Sequence, residues 1–170
     1  KDFAEKTLAP IAGEIDKTEA FPMDVVKTMA DMGFLGLKIP EEYGGLGLDM
    51  RSYICVMEEI AKKCATATIF ISSANSLSTA PIVISGTPEQ KEKYLPGVAA
   101  GESLIAFGLT EPNAGSDAAS MTTRAVEDGD SYILNGRKCF ITMAPIADQC
   151  IVYAKTDPEK GAKGITCFMV

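Results

Sequence analysis

The hydrophobic periodicity of this 170-residue chain changes near residue 104. Before that point, apolar residues recur every three or four positions, as they do on one face of an amphipathic helix. After it, short runs of β-branched and aromatic residues are separated by turn-forming residues, which is typical of strands. The sequence therefore predicts an α+β protein, with an all-helical domain over residues 1–103 and an antiparallel sheet over residues 104–170.

The helical part carries recognisable start and stop signals. Asp49 is a good N-cap, and Thr87-Pro88-Glu89-Gln90 predicts a capping box with proline at the first helical position. Gly33 is expected to end an earlier helix. Helices are also predicted over residues 4–17 and 66–85. The second of these is apolar or small on nearly every side, so we expect it at the centre of the helical domain.

The strand-like part contains hairpin signals. Asp128-Gly129-Asp130 and Asn135-Gly136 both favour tight turns, and strands joined by such turns are antiparallel. The predicted strands are residues 104–109, 122–127, 132–134, 138–142, 150–155 and 166–170.

The first of these strands is interrupted by a polar turn. Pro112 has no N–H to donate, so the strand is expected to end near Thr110. Gly115 is able to take a positive φ, and consecutive backbone N–H groups beside the Ser116 hydroxyl would then form a concavity for a phosphate or pyrophosphate. An ordinary polar turn at the end of a strand has the same composition. The residues alone leave both interpretations open, and the ordinary turn is the commoner of the two.

Two other motifs favour structural roles. Gly44-Gly45-Leu46-Gly47 resembles a phosphate loop, but it lacks the P-loop lysine, so a surface loop is the better interpretation. Glu58 and Glu59 are adjacent on a predicted helix and therefore diverge by about 100°, which favours a solvated face over a shared acid/base site.

Composition excludes several function classes. The chain has no histidine, which excludes a Ser-His-Asp triad or a histidine-ligated metal site among these residues. Its net charge of -7 argues against a nucleic-acid partner. Five cysteines without C-x-x-C spacing favour reduced thiols and a cytoplasmic location. No apolar stretch approaches the ~20 residues of a membrane helix, so no membrane partner is expected.

The order and spacing of several motifs resemble the acyl-CoA dehydrogenase family. They are Phe21-Pro22, Leu35-Gly36-Leu37, the Ile39 to Gly47 segment, the Thr110 to Asp117 segment, Asp128-Gly129-Asp130, the Leu134 to Thr142 segment and Ala154-Lys155-Thr156-Asp157-Pro158. The resemblance implies an N-terminal helical domain, a barrel-like middle β-domain and a C-terminal helical domain. The last is not represented in these residues, so we expect the polypeptide to continue past Val170.

This resemblance also implies a reaction. Such enzymes oxidise acyl-CoA to trans-2-enoyl-CoA in fatty acid metabolism: a carboxylate removes the α-proton and the β-hydrogen leaves as hydride to FAD. An electron-transfer flavoprotein as electron acceptor, a homo-oligomer (a tetramer in the family) and a cytoplasmic location, or the mitochondrial matrix in a eukaryote, are implied with it. Acyl-CoA oxidases and a non-catalytic module of the same fold are the alternatives.

The resemblance assigns site residues in two segments. In the first, Phe107 and Leu109 are expected to flank the flavin, Thr110 to bind the ring edge, and Gly115 and Ser116 to reach the pyrophosphate. Ser116 also matches a position that touches the acyl-CoA substrate.

The second segment is Phe140, Ile141 and Thr142, with the aromatic ring against the flavin and Thr142 near its N5 atom. Two positions depart from the family pattern. Phe140 stands where many members carry tryptophan, and Met143-Ala144 stands where Asn-Gly commonly follows the threonine.

No residue of this chain matches the family's catalytic base, which is expected in the C-terminal domain. Glu111 is the one carboxylate in the proposed site that invites this role, but it belongs to the Thr-Glu-Pro turn that members carry alongside a separate base. No catalytic residue and no metal ligand are therefore assigned, and residues 1–170 alone are expected to be inactive.

Overall fold

The computed structural model describes residues 1–20 and 22–170, so Phe21 of the predicted Phe21-Pro22 motif lies outside the described residues. The chain forms two compact units, Lys1–Leu104 and Ile105–Val170, which we call the helical unit and the sheet unit. The division falls one residue away from the boundary predicted between residues 103 and 104. The predicted order of helices followed by a sheet is confirmed.

The helical unit buries a continuous set of aliphatic side chains, among them Leu8, Met29, Leu35 and Leu95. Its α-helices are α1 (Ala12–Thr18), α2 (Met23–Asp31), α3 (Met50–Ala61), α4 (Ala65–Ser72), α5 (Ala80–Ser85) and α6 (Pro88–Ala99). Short π-helical segments, Ala4–Leu8 and Ser73–Ser78, precede α1 and connect α4 to α5.

The predicted helix boundaries depend on local chemistry and hold well. Asp49 accepts a hydrogen bond from the Ser52 N–H at 2.8 Å, and both bonds of the Thr87/Gln90 capping box are present. The predicted helix over residues 4–17 is instead broken in two, because Pro10 has no N–H to continue the hydrogen-bond ladder.

The glycine-rich loop after residue 43 is structural. Its backbone N–H groups donate to carbonyls of the same unit: Gly45 to Pro40, Leu46 to Gly36, and Gly47 to Ile39. Because these N–H groups are already used, the loop has no row of free donors for a phosphate.

The run Ala65–Ser85 has 21 residues and a mean hydropathy of 1.4 over its most apolar window, which is long and apolar enough to cross a membrane. The expectation that no apolar stretch approaches this length is therefore wrong. Half of that window is buried inside the structure, and core helices pass the same test, so this run is weak evidence for a membrane span.

The sheet unit is built around one central strand. Its strands are β1 (Ile105–Gly108), β2 (Arg124–Asp128), β3 (Ser131–Asn135), β4 (Gln149–Lys155) and β5 (Ile165–Met169). Strand β4 pairs with β1 along one edge and with β5 along the other, since Ile151 is paired with both Phe107 and Met169. The end of β4 also pairs with β2 at Lys155 and Arg124.

The sheet is mixed, which corrects the predicted antiparallel sheet. The β2–β3 hairpin and the β4–β5 pair are antiparallel, but β1 and β2 run parallel to β4. Long connections permit parallel crossovers, whereas the prediction rested on tight turns.

Only one of the two predicted hairpin turns is formed. Gly129 takes a φ of 61° in the turn between β2 and β3, as predicted. The next strand after Asn135 is β4, which begins only at Gln149, so the predicted strand over residues 138–142 is absent. Gly136 instead lies against Thr123, where an added Cβ would be 2.7 Å from the Thr123 Cα. Position 136 therefore requires glycine because Thr123 packs closely against it, and not because of a hairpin turn.

Candidate active site

The two segments singled out by the sequence are adjacent in the sheet unit. The Cys139 N–H donates to the Thr110 carbonyl at 3.0 Å, and the Lys138 Nζ donates to the Leu109 carbonyl at 3.0 Å. The first segment therefore leaves β1 and meets the second just before Phe140. This junction corrects the expectation that both segments lie on strands, because residues 138–142 reach β1 through a loop.

A tight reverse turn follows Thr110. The backbone N–H and carbonyl of Glu111 exchange hydrogen bonds with those of Ala114, both at 3.1 Å, and Pro112 occupies the turn. Gly115 and Ser116 come directly after it and are exposed. The φ of Gly115 lies outside the left-handed region, so the expected positive φ is absent. A Cβ at Gly115 would meet no atom within 4 Å, which leaves the space beside its backbone open.

Glu111 is held as an ionised, fully hydrogen-bonded carboxylate. Its two oxygens accept bonds from the Thr122 N–H at 2.6 Å, the Thr122 hydroxyl at 2.8 Å, the Thr123 N–H at 3.0 Å and the Lys138 Nζ at 2.8 Å. Burial by itself raises the pKa of Glu111, but the hydrogen bond from Lys138 and those from the two backbone N–H groups lower the net pKa far below 4.5.

A general base must accept a proton near neutral pH and must reach its substrate. The lowered pKa of Glu111 makes its carboxylate a weak proton acceptor, and its lone pairs face its own protein. The hydrogen bonds around Glu111 are therefore a structural reason, beside the family pattern, not to assign it as the base.

The second segment is a turn with unusual backbone geometry. Phe140 has a φ of 56° and Met143 a φ of 66°, both left-handed. The Phe140 side chain is 93% exposed. The Ala144 N–H donates to the Ile141 carbonyl at 3.2 Å, which closes the turn around Thr142. Residues with side chains rarely adopt this backbone, and such outliers cluster at functional sites.

The Phe107 side chain packs partly against the sheet and is partly exposed. Its ring is half-buried and meets the Tyr153 ring edge-to-face at a centroid distance of 5.3 Å. Burial, with a smaller contribution from Cys167, raises the pKa of Tyr153 to about 12, so this phenol stays neutral.

Lys138 is the site residue that sequence reasoning missed. It connects Leu109 and Glu111 to the second segment, although no role was assigned to it. The available signal was a cation directly before the apolar run Cys139-Phe140-Ile141. In the described ranges, 1–20 and 22–170, no group of three or more acidic or cysteine side chains is placed to hold a metal ion.

Comparison with known proteins identifies the chain. The model of the acyl-CoA dehydrogenase N-terminal domain matches residues 1–102, and the model of the acyl-CoA dehydrogenase middle domain matches residues 106–170. The chain belongs to the acyl-CoA dehydrogenase family. The family resemblance drawn from the sequence motifs is thereby confirmed.

Relatives within the acyl-CoA dehydrogenase family span more than this chain. The chain is 57% identical to a 3-(aryl)acrylate reductase of Clostridium sporogenes and 50% identical to the caffeyl-CoA reductase–Etf complex subunit CarC of Acetobacterium woodii. Both matches cover the whole chain and 45% of the relative. The structure of butyryl-CoA dehydrogenase from Megasphaera elsdenii matches 99% of the chain and 45% of its own, with a TM-score of 0.92 and 44% identity.

The residues that the acyl-CoA dehydrogenase pattern assigns to FAD fit such a group chemically. Within the described part of the chain, the hydroxyls of Thr110, Ser116 and Thr142 make no hydrogen bond, so all three are free to bind polar edges of a ligand. Phe140 offers an exposed aromatic face, and Gly115 leaves room for close backbone approach. An aromatic ring system with polar edges and a pyrophosphate needs these features. The individual roles stay predictions.

Proposed function

We propose that the protein is a flavin-dependent acyl-CoA dehydrogenase that oxidises an acyl-CoA thioester to trans-2-enoyl-CoA. The observation that carries this proposal is the junction at Thr110 and Cys139. It brings an exposed aromatic side chain and free hydroxyls together in a chain whose two halves match the N-terminal and middle domains of that family.

Each residue of this junction has a separate task in the proposal. Phe140 packs against the flavin, Thr110 and Thr142 bind its polar edge, and Ser116 binds the pyrophosphate and touches the acyl-CoA. Phe107, Leu109, Gly115 and Ile141 complete the contact surface. Bound FAD supplies the electron sink for the β-hydrogen.

The proton at the α-carbon needs a different group. Glu111 is ionised but already accepts four hydrogen bonds, so it has no lone pair directed to a substrate. We place the base outside residues 1–170. We expect these residues alone to bind flavin at most and not to catalyse the oxidation.

The test uses the intact protein, reconstituted with FAD under anaerobic conditions. Addition of a series of saturated acyl-CoA thioesters should bleach the flavin absorption band, with formation of the 2-enoyl product. If FAD fails to bind, or if it binds and no acyl-CoA reduces it, the proposed oxidation is wrong. Rapid reoxidation of the reduced flavin by oxygen would point instead to an acyl-CoA oxidase.

A second candidate function is the reverse reaction, reduction of an arylacrylyl-CoA. The observation that favours it is the 57% identity to a 3-(aryl)acrylate reductase together with the 50% identity to a caffeyl-CoA reductase subunit. The same groups serve both directions, because a catalyst lowers one barrier for both. The direction then depends on the flavin potential and on the electron donor.

The two candidate functions predict that different substrates react faster with the reduced flavin. The intact protein is photoreduced anaerobically and mixed with cinnamoyl-CoA or, as a matched control, with crotonyl-CoA. Faster reoxidation by cinnamoyl-CoA supports the aryl reductase, whereas preference for crotonyl-CoA supports the acyl-CoA dehydrogenase proposed first. A protein that binds flavin and reacts with neither is a non-catalytic module.

We also propose an electron-transfer flavoprotein as the redox partner, because a relative of this chain is named as a subunit of an Etf complex. A homo-oligomer, with the tetramer expected from the family resemblance, and a cytoplasmic location complete the proposal. Light scattering of the purified intact protein tests the oligomeric state, and cell fractionation tests the location.

A further inference from the structure

The sheet unit contains one largely buried ion pair. The Lys138 Nζ lies 2.8 Å from the Glu111 Oε1, and the two side chains are 12% and 3% exposed. The other ion pairs of the described residues lie at the surface, as in the pair between Lys62 and Glu59. A buried pair contributes little stability relative to an apolar pair of similar volume, so its presence calls for another explanation.

The hydrogen bonds around this pair join three segments. Glu111 fixes residues 122 and 123 through their N–H groups, while Lys138 donates both to Glu111 and to the Leu109 carbonyl. Lys138 therefore reaches the first flavin segment at two points, on either side of Thr110.

The second flavin segment continues directly from the same lysine. Cys139 donates its N–H to the Thr110 carbonyl at 3.0 Å, and Phe140 follows with its left-handed backbone. Since Lys138 and Cys139 both bind residues 109–111, the spacing between the hydroxyl of Thr110 and the ring of Phe140 depends on these bonds.

We propose that Lys138, acting through Glu111 and the Leu109 carbonyl, is a positioning residue that sets the two flavin-contacting segments at the separation the cofactor requires. This inference rests on the proposed function, because it assigns the pair to the flavin site. Lys138 does not touch the reacting atoms in this scheme. Its effect reaches the cofactor only through Thr110 and Phe140.

A purely structural role predicts a different pattern of effects. Removal of one partner leaves an uncompensated buried charge, so Lys138→Met and Glu111→Gln alone both lose stability whatever the pair is for. Neutralising both partners removes that penalty, because neither side chain is then charged. The double variant Glu111→Gln/Lys138→Met therefore separates the positioning role from the structural one.

The experiment compares five forms of the intact protein: wild type, Lys138→Met, Lys138→Arg, the double variant and the surface control Lys62→Met. Four quantities are measured for each: the urea midpoint of the apoprotein, the dissociation constant of FAD, and the flavin absorption spectrum and reduction potential of the loaded protein. Lys62 pairs with Glu58 and Glu59 on an exposed helix face, so its removal is the matched loss of an ion pair outside the site.

The positioning role predicts that the double variant regains most of the wild-type urea midpoint but still binds FAD about tenfold or more weakly, the effect expected of a lost hydrogen bond to a charged group. Its flavin spectrum and potential should differ from those of wild type, and Lys138→Arg, which keeps the charge and the donors, should restore part of the affinity. Lys62→Met should match wild type in FAD affinity, spectrum and potential.

Three outcomes overturn the inference. One is a double variant with wild-type FAD affinity, spectrum and potential, which would make the pair purely structural. Another is a double variant that does not fold. The third is a wild-type protein that binds no FAD, which overturns the proposed function as well. By contrast, if wild type binds FAD and the double variant has the same FAD affinity, spectrum and potential, this inference alone is overturned.

Discussion

Phe140 and Met143 share a left-handed backbone but have opposite surroundings. Their φ values are 56° and 66°, and their side chains are 93% and 6% exposed. A left-handed backbone costs a residue with a Cβ about 1–2 kcal/mol, and it persists only where neighbouring structure compensates. Burial of Met143 supplies such compensation, so the turn is held from one end while Phe140 is presented at the other.

Replacement of Phe140 by glycine should therefore separate fold from function. Glycine adopts the left-handed backbone without strain, so the free energy of unfolding of the apoprotein should stay the same or rise by up to about 1 kcal/mol. The affinity for FAD should fall because the aromatic face is lost. Urea unfolding and a flavin titration measure the two effects. Phe140→Tyr, which keeps the ring, is the control, and a large loss of stability in Phe140→Gly would show that the ring serves the fold.

Met143→Asn tests the buried end of the same turn. Asparagine tolerates the left-handed backbone better than methionine, but it cannot replace the buried apolar side chain. Loss of a buried methionine outweighs the relief of strain, so we expect the apoprotein to lose about 1–3 kcal/mol of unfolding free energy. Thermal or urea unfolding checks this. An increase in stability would mean that backbone strain, not packing, dominates at Met143.

Features set by nearby residues were predictable from sequence, and features set by distant ones were not. The Asp49 cap and the Thr87 capping box need only neighbours three residues away, and both are formed. The predicted strand over residues 138–142 failed because Cys139 binds the distant Thr110. The parallel pairing of β1 with β4 is likewise a contact between residues far apart in the chain.

The same difference between nearby and distant residues applies to the candidate site. The two segments could be found from motifs, because each is a short run of characteristic residues. Their contact through Lys138 could not be predicted, because the sequence around a lysine beside an apolar run looks the same whether the lysine is buried or lies on the surface. Only the structure shows that this lysine reaches Leu109 and Glu111.

Ser116→Ala and Thr142→Ala test whether these hydroxyls serve the cofactor. Neither hydroxyl makes a hydrogen bond in the described ranges, so each loss should leave the melting of the apoprotein nearly unchanged. Loss of a hydrogen bond to flavin should weaken FAD binding by about 0.5 to 1.5 kcal/mol. Thermal melting and FAD titration of the intact protein distinguish the two. Early unfolding with intact flavin binding would contradict the assignment.

The ionised state of Glu111 predicts a pH dependence of stability. Its pKa is lower in the folded protein than the ordinary 4.5, so its stabilisation is fully present above that value and is lost as the pH falls below it. The difference in unfolding free energy between wild type and Glu111→Gln should therefore shrink from about pH 7 to about pH 3. Urea unfolding at several pH values measures it. A difference that stays constant over this range would show that the charge of Glu111 is not what stabilises the turn.

Gly115 and Gly136 should respond in opposite ways to the same substitution. A Cβ at Gly136 would lie 2.7 Å from the Thr123 backbone, whereas a Cβ at Gly115 would meet no atom within 4 Å. Gly136→Ala should therefore destabilise the apoprotein by about 1–3 kcal/mol through overpacking. Gly115→Ala should raise its stability by about 0.4–1 kcal/mol, because alanine restricts the unfolded chain.

The FAD affinity of Gly115→Ala is the second quantity to measure. If the pyrophosphate lies beside the backbone of Gly115, the added methyl group occupies its space, so Gly115→Ala should bind FAD more weakly although its apoprotein is more stable. A stability gain accompanied by weaker flavin binding is hard to obtain from any purely structural role of Gly115. Undiminished FAD affinity in Gly115→Ala would remove this residue from the proposed site and would leave Ser116 as the nearest candidate for the pyrophosphate.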